Sequence, residues 1–463
     1  MEQSCTLKNS IQDGTFFTLP VPELLSLLEA SYPSELELLK TAYSVPPPPY
    51  ERPTTPSPSR QLYAAEYGEI NRTIVSVLSL RWVYNRDYAS FTATQIPHIK
   101  LTRQSFDWMS NFLHKTINTP DDIYTLITSI IINDLGKSQS FIEAHKDATN
   151  TDVSRLNHDM ILHQIITKTP YLIPSLSLLS QSGKGDLIKG IELSAEFSFG
   201  QLAQAENTPG SLHSLLSMKS HARAFDIRFM EQILDIAGAA GHIDHTCAKK
   251  LTDPVFQSFK TVYEISVNII DGKCGVREGY DINLIRRVGL LEAAGWTRGR
   301  ELDVKDPVHR ALMRLLCITN SADVDAADLV HDTFFNILDE DIRRVLVSGM
   351  EMDGTLEQPA VQATYIPAMS SAAINATKSG SKPEKEKALA AVLTYLSRTL
   401  EIDIEQVRGS LPLGVVVIER DIRKTIMHVI NSERFREDPS VLDSVSLPDY
   451  EAAAMAEGYE WVF

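Results

Sequence analysis

Apolar residues repeat at helical spacing along most of this chain, most clearly between residues 120 and 132. The large apolar side chains of that segment fall on one helix face: Ile123, Leu126, Ile127, Ile130 and Ile131. Thr119 is a favourable N-cap residue, and Pro120 suits the first helical position. The pattern therefore predicts a buried helix that ends at Asn133 and Asp134.

The same periodicity predicts helices over two long stretches, residues 61–270 and 271–436. The turn-rich sequence DGKCGVREGY opens the second stretch and indicates a boundary between two helical domains. Residues 362–369 are the one segment whose pattern favours a strand. Residues 437–463 hold seven acidic side chains and no basic ones, which predicts an acidic tail. The expected fold class is therefore all-α.

Residues 1–60 are expected to form a disordered, proline-rich arm. Seven of the fourteen residues from Pro46 to Ser59 are proline, a composition that favours an extended polyproline conformation over a packed element. The sequence Pro47-Pro48-Pro49-Tyr50 resembles the PPxY motif that WW domains bind. Two interpretations stay open for the arm, a solvated spacer and a ligand for a WW-domain protein.

The composition narrows the class of protein. The chain has 43% hydrophobic residues, 60 acidic and 44 basic side chains and a formal charge of −16, which argues against nucleic acid as a partner. Four widely spaced cysteines predict a reducing compartment, cytoplasmic or nuclear. No apolar run approaches the ~18 residues that a membrane span needs, and the N-terminus lacks the pattern of a signal peptide.

The polar pair at the end of the predicted helix suggests a binding or catalytic site. Burying Asn133 and Asp134 is unfavourable unless a partner compensates, and a metal ion or a phosphate would be such a partner. The string IIINDLGK, residues 130–137, resembles the AALLHDIGK signature of HD-domain phosphohydrolases, including the HD-GYP branch. Residues 157–176 resemble the segment of that family that supplies the next metal-binding histidine. The resemblance covers roughly residues 95–260.

The resemblance implies that residues 61–270 form an HD-like helical metal-binding domain, followed by a C-terminal helical domain. It implies that Asp134 is a bridging carboxylate, that Lys137 faces a phosphate and that His158 binds metal. Asn133 stands where the family has a histidine, and an amide is a poor ligand for iron or zinc. This departure fits a single metal ion or a lost site.

A further segment, residues 224–250, offers additional ligands. Asp235, Gly238 and His242 fall on one helix face, and His242 and His245 could donate to one ion. Alternatively, the helix ends at Gly241, and both histidines lie in the following turn. The predicted ion is divalent, namely Mn, Mg, Zn or Fe, and its candidate ligands are Asn133, Asp134, His158, Asp235, His242 and His245.

The function expected from the resemblance is metal-dependent hydrolysis of a phosphate ester or phosphodiester, with Asp134 and Lys137 as catalytic residues. The substrate would be a phosphate-containing small molecule or a modified protein. Two alternatives stay open: an HD-fold iron oxygenase, and a catalytically inactive HD-like adaptor that is recruited through the PPxY motif. Whether the protein is an enzyme is therefore an open question at this stage.

Overall fold

A computed structural model describes residues 2–44, 53–403, 409, 411–456 and 459. Most of them lie in α-helices, which confirms a mainly all-α fold class. The helices, in chain order, are α1 Glu2–Gln12, α2 Val21–Ser31, α3 Pro33–Leu39, α4 Pro58–Tyr63, α5 Gly68–Tyr84, α6 Tyr88–Phe91, α7 Arg103–Thr116, α8 Pro120–Ile132, α9 Gln139–Thr149, α10 His158–Lys168, α11 Gln181–Glu196, α12 Phe199–Ala203, α13 Ala222–Gly238, α14 Asp253–Ile270, α15 Val276–Ala293, α16 Pro307–Ile318, α17 Val324–Asp332, α18 Glu340–Glu351, α19 Ile366–Asn375, α20 Lys382–Leu400, α21 Arg423–Ile430 and α22 Glu433–Glu437.

Short non-α helices occur at several of the connections. They are Thr15–Phe17, Leu135–Lys137, Pro170–Leu172, Pro174–Leu178, Pro209–Met218, Thr297–Glu301 and Pro439–Ser444, which are 3-10 helices, and Thr333–Ile337, which is a π-helix. Among the described residues, no helix is both long enough and apolar enough to cross a membrane.

The chain divides into two compact units whose limits differ from the predicted domain boundaries. The first unit comprises Met1–Ala195 and Ser220–Lys260, and the second comprises Glu196–Lys219 and Thr261–Phe463. Residues 196–219 therefore belong to the second unit, although residues of the first unit precede and follow them in the sequence. Helical periodicity reports which face of a helix is buried but not which helices cover it, so this exchange was not visible in the sequence.

The first 44 residues are not the arm that the sequence suggested. Helices α1 to α3 occupy most of this region, and Leu7, Phe16, Leu24 and Leu36 are completely buried. The Arg81 guanidinium donates hydrogen bonds to the carbonyl oxygens of Phe17, at 3.1 Å, and Leu19, at 2.6 Å. The prediction assigned all of residues 1–60 to the proline-rich arm. The leucine patches near the N-terminus are short, and helices of that length are stable through tertiary packing, which the sequence does not show.

The proline-rich stretch itself is only partly described. Pro47–Tyr50, the sequence that resembles a WW-domain ligand, lies outside the described residues. Its C-terminal end is ordered, because Ser57 caps α4 by accepting a hydrogen bond from the backbone N–H of Arg60. The arm therefore ends earlier than residue 60.

Helix α8 agrees closely with the prediction. Thr119 is its N-cap and forms a capping box with Asp122, and Pro120 is its first residue. The helix ends at Ile132, so that Asn133 and Asp134 follow directly and the 3-10 turn Leu135–Lys137 comes next. Gly136 makes a close approach of the start of α10 possible, because a Cβ atom at that position would lie 2.0 Å from the carbonyl oxygen of His158. Helix α10 can therefore begin directly against the end of α8.

Three strands of the described residues form a mixed sheet in the second unit. They are β1 Ala360–Thr364, β2 Val415–Asp421 and β3 Glu451–Met455, with β1 parallel to β2 and β3 antiparallel to it. The sequence predicted one strand near β1, and it assigned β3 to the acidic tail. All three strands are buried at every position, so they lack the alternation of apolar and polar residues that marks a strand with one solvent-facing side.

Candidate functional site: a charged cluster at the end of helix α8

A network of charged side chains surrounds Asp134 in the first unit. We call it the Asp134 cluster, and its members are Glu69, Arg72, Asn133, Asp134, Lys137, His158, Asp159, Arg228, Glu231 and Asp235. They come from four places in the sequence: the first turns of α5, the end of α8 with the turn after it, the start of α10, and the middle of α13. The sequence placed only five of the ten in a candidate site.

Lys137 connects two carboxyl groups at the centre of the cluster. Its ammonium nitrogen lies 2.8 Å from Asp134 Oδ1 and 3.4 Å from Glu69 Oε2. Glu69 also pairs with Arg72, whose Nη1 lies 2.7 Å from Glu69 Oε1. Glu69 and Arg72 are one turn apart on α5, so the helix aligns them for this contact. Two cations and two carboxyl groups therefore share a largely buried site.

His158 lies beside Asp134, where the family resemblance placed it. It is the first residue of α10, and 33% of its side chain is exposed. Its Nε2 lies 3.9 Å from Asp134 Oδ1 and 3.6 Å from Asp159 Oδ2. The imidazole therefore stands at the solvent-facing side of the cluster.

Asn133 has a different partner from the one that the sequence suggested. Its Oδ1 accepts a hydrogen bond of 2.8 Å from Nη1 of Arg228 on α13. The same guanidinium pairs with Glu231 and lies 3.6 Å from Asp159 Oδ1. The amide oxygen that was expected to face a metal ion is thus engaged by a positively charged side chain.

The carboxyl groups of the cluster have pKa values that move in opposite directions. Burial, reinforced by the charge of Asp134, raises the pKa of Glu69 to about 7 and raises that of Asp235 as well. Burial also raises the pKa of Glu231 to about 8. For Asp134, burial by itself acts upward, but Lys137 and Arg72 outweigh it and hold the pKa well below its usual range. The cluster therefore places Asp134, which loses its proton readily, beside carboxyl groups that hold their protons to higher pH.

The other two predicted ligands, His242 and His245, lie in the non-helical segment that follows α13, which ends at Gly238 rather than at Gly241. They line a separate cavity, where His245 Nε2 lies 3.0 Å from Thr55 Oγ1. This arrangement matches the alternative in which both histidines follow the helix. Asp235, by contrast, reaches the cluster, because it lies within the helix and close enough to Asp134 for the two charges to interact.

The donors present do not fit a metal ion as they are arranged. Across the described ranges, no group of three or more His, Cys, Asp or Glu side chains could hold one. The Asp134 carboxylate already faces Lys137 and Arg72, and Asn133 faces Arg228. Lys137 and Arg72 thus supply the positive charge that a divalent ion would otherwise supply beside Asp134. The metal site stays a prediction from the resemblance.

Sequence reasoning missed five members of the cluster: Glu69, Arg72, Asp159, Arg228 and Glu231. Four of these form two pairs, each an acid and an arginine three residues apart: Glu69 with Arg72 on α5, and Arg228 with Glu231 on α13. A charged pair at that spacing within an apolar helix face is a usable signal, because charges are rarely buried without partners. The spacing does not predict that the two pairs lie close together in the fold.

A family model described as a family of unknown function (DUF6829) matches residues 25–442, nearly the whole chain. The chain belongs to this family. The match begins in α2 and ends within the 3-10 helix Pro439–Ser444, so it extends over most of both compact units and includes the whole Asp134 cluster. No curated protein and no solved structure matches the chain.

Proposed function

We propose that the Asp134 cluster binds and hydrolyses a phosphate ester or phosphodiester. The observation that carries the proposal is the Lys137 ammonium group, shared between two carboxyl groups whose pKa values are displaced in opposite directions. Neighbouring ionisable groups whose pKa values are strongly displaced are typical of functional sites. The resemblance of residues 130–137 to HD-domain phosphohydrolases suggests the class of substrate.

The charge balance of the cluster is compatible with an anionic substrate. Arg72, Lys137 and Arg228 are positively charged, and at neutral pH Glu231 and part of Glu69 retain their protons because their pKa values are about 8 and 7. Lys137 and Arg72 keep 20% and 19% of their side-chain surface exposed. These two cations could therefore donate hydrogen bonds to phosphate oxygens, which pair strongly with guanidinium and ammonium groups.

The proton transfer would fall to the exposed side of the cluster. The oxygen of the attacking water would form a bond to phosphorus while the bond from phosphorus to the leaving oxygen breaks, so that the leaving group departs as an oxyanion, and the His158 imidazole would accept the proton of the water. Asp134, whose Oδ1 lies 3.9 Å from His158 Nε2, would orient that imidazole, and Lys137 would hold Asp134 in position. His158, at the exposed side, would contact the substrate as it enters.

No step of this proposal passes through a metal ion, because the donors present do not fit one. Metal dependence and the iron oxygenase both stay predictions of the resemblance. Metal dependence is tested by running the hydrolysis assay with a chelator and with Mn²⁺, Mg²⁺, Zn²⁺ or Fe²⁺.

The test is hydrolysis of p-nitrophenyl phosphate and bis(p-nitrophenyl) phosphate by the full chain. Asp134→Asn should lower kcat by at least ~10²-fold, because it removes the carboxylate that orients the base, and Lys137→Met should raise KM as well. Lys146→Met is the matched control, since that lysine is half exposed and pairs with Asp152 outside the cluster. Absence of hydrolysis above the uncatalysed rate under every metal condition, or an Asp134→Asn variant with full activity, would contradict the proposal.

A catalytically inactive adaptor is the second candidate. It is favoured by the internal pairing of the cluster, since Arg72, Lys137 and Arg228 each contact a carboxyl group of the protein itself. In that case Asp134→Asn would lower the melting temperature, and no substrate would be turned over. A fluorescent WW domain should then bind the wild-type chain and lose binding to a Tyr50→Ala variant.

A further inference from the structure

A second polar site in the first unit shares no residue with the Asp134 cluster. It is a cavity of about 330 Å³, which we call the Thr55 cavity. Its lining combines hydroxyl groups with a guanidinium, a carboxyl group and two imidazoles, contributed by residues 53–57, Arg60, Glu66, Gly241–Ile243 and His245. The two histidines that were predicted to bind metal are thus placed beside the C-terminal end of the proline-rich stretch.

The sequence of this stretch contains two hydroxyl residues that are each followed by proline, Thr55-Pro56 and Ser57-Pro58. This dipeptide is the determinant by which proline-directed protein kinases recognise their acceptor residue. Proline also keeps the residue before it extended, the conformation in which an acceptor enters a kinase. The sequence alone does not distinguish between Thr55 and Ser57.

The structure distinguishes them. Thr55 and its neighbour Pro56 are exposed. Ser57 is only 9% exposed, and its hydroxyl is committed to the fold: it accepts a hydrogen bond from the N–H of Arg60 and donates one of 2.8 Å to Glu66 Oε2. Phosphorylation of Ser57 would break the cap of α4 and place a phosphate against a carboxylate. Thr55 is therefore the accessible acceptor.

A phosphate on Thr55 would meet complementary groups. Thr55 Oγ1 already lies 3.0 Å from His245 Nε2, across 190 positions of sequence. Arg60 lines the same cavity, and its Nη1 lies 3.8 Å from Glu66 Oε1, too far for a strong hydrogen bond and therefore free to turn toward a phosphate. Charge-assisted hydrogen bonds from these two side chains would order the phosphorylated segment.

We propose that Thr55 is phosphorylated by a proline-directed protein kinase and that the phosphate docks on His245 and Arg60 in the Thr55 cavity. In the transfer, Thr55 Oγ1 forms a bond to the γ-phosphorus of ATP while the bond from that phosphorus to the bridging oxygen breaks. ADP leaves, and the hydroxyl proton passes to the base of the kinase. The docked phosphate then ties residues 53–57 to the turn that follows α13.

The acceptor is tested by incubating the full chain with a proline-directed kinase and ATP and mapping the phosphate by mass spectrometry. The expected result is one phosphate at Thr55, its absence in Thr55→Ala and its retention in Ser57→Ala. Failure to incorporate phosphate, or incorporation at Ser57 with Thr55 unmodified, would overturn the proposal.

Docking is tested by phosphorus NMR titration of the phosphorylated chain, folded and in urea. Contacts with Arg60 and His245 should lower the phosphate pKa of the folded protein by roughly 0.5–1 unit from its ordinary value of about 6. Arg60→Gln and His245→Gln should each remove part of that shift, whereas Lys40→Gln, outside the cavity, should leave it unchanged. A phosphate whose pKa is the same in folded and unfolded protein would show that it does not dock.

Discussion

Replacing Gly238 by alanine would perturb the contact that brings the two halves of the Asp134 cluster together. Gly238 is the last residue of α13, and it packs against the backbone of α5. A Cβ atom there would lie 2.1 Å from Ser76 Oγ, 2.4 Å from the carbonyl oxygen of Arg72 and 2.7 Å from the backbone nitrogen of Ser76. The serine hydroxyl can rotate away, but the two backbone atoms cannot.

The size of the effect follows from these distances. An ordinary Cβ contact begins at 3.4 Å, so the backbone of α13 would have to move about 1 Å away from α5. Overpacking of this kind costs about 1–3 kcal/mol, and the better helix propensity of alanine returns less than ~1 kcal/mol at a helix end. We expect a net loss of about 1–2 kcal/mol, which for a domain of this size lowers the melting temperature by roughly 2–8 °C.

Thermal unfolding followed by circular dichroism measures this change, with Gly185→Ala as the matched control. Gly185 lies inside α11, and a Cβ atom there would meet nothing within 4 Å. The control should therefore gain about 0.4–1 kcal/mol, because alanine restricts the unfolded chain. If Gly238→Ala were as stable as the wild type, the close approach of α13 to α5 would not be present in solution.

Two further predictions concern the N-terminal helices and the response to pH. Deleting residues 2–44 should give an insoluble or unfolded protein in expression and solubility assays, because the buried side chains of α1 to α3 would leave the core; a soluble, folded product would restore the arm interpretation. For Glu231, the folded-state pKa of about 8 lies above the ordinary 4.5, so its contribution to stability is complete below pH 4.5 and is lost as the pH rises through 8. Glu231→Gln should therefore flatten the fall in unfolding free energy between pH 5 and 8, measured by urea denaturation, by up to ~1.4 kcal/mol per unit of pKa shift. The exposed Glu23→Gln control should keep the wild-type slope, and an unchanged slope in Glu231→Gln would refute the assignment.

The sequence by itself determined the features that depend on neighbouring residues. The spacing of isoleucines and the Thr119 cap specify α8, since both act within one helix. Asp134 and Lys137 follow the end of that helix and are three residues apart in the sequence, which is close enough for their side chains to pair. The resemblance of residues 157–176 added His158, which does lie beside Asp134.

Only the tertiary structure decided which distant groups share the site. Glu69 and Arg72 on α5, and Arg228 and Glu231 on α13, meet the end of α8 because the glycine at the end of α13 lets it approach the backbone of α5. The same packing engages Asn133 with Arg228 and leaves His242 and His245 in another cavity. A periodic pattern states that a helix face is buried, but the partner of that face depends on complementary shape and charge from elsewhere in the chain. The charge network at Asp134 is therefore a property of the fold and not of any one segment of sequence.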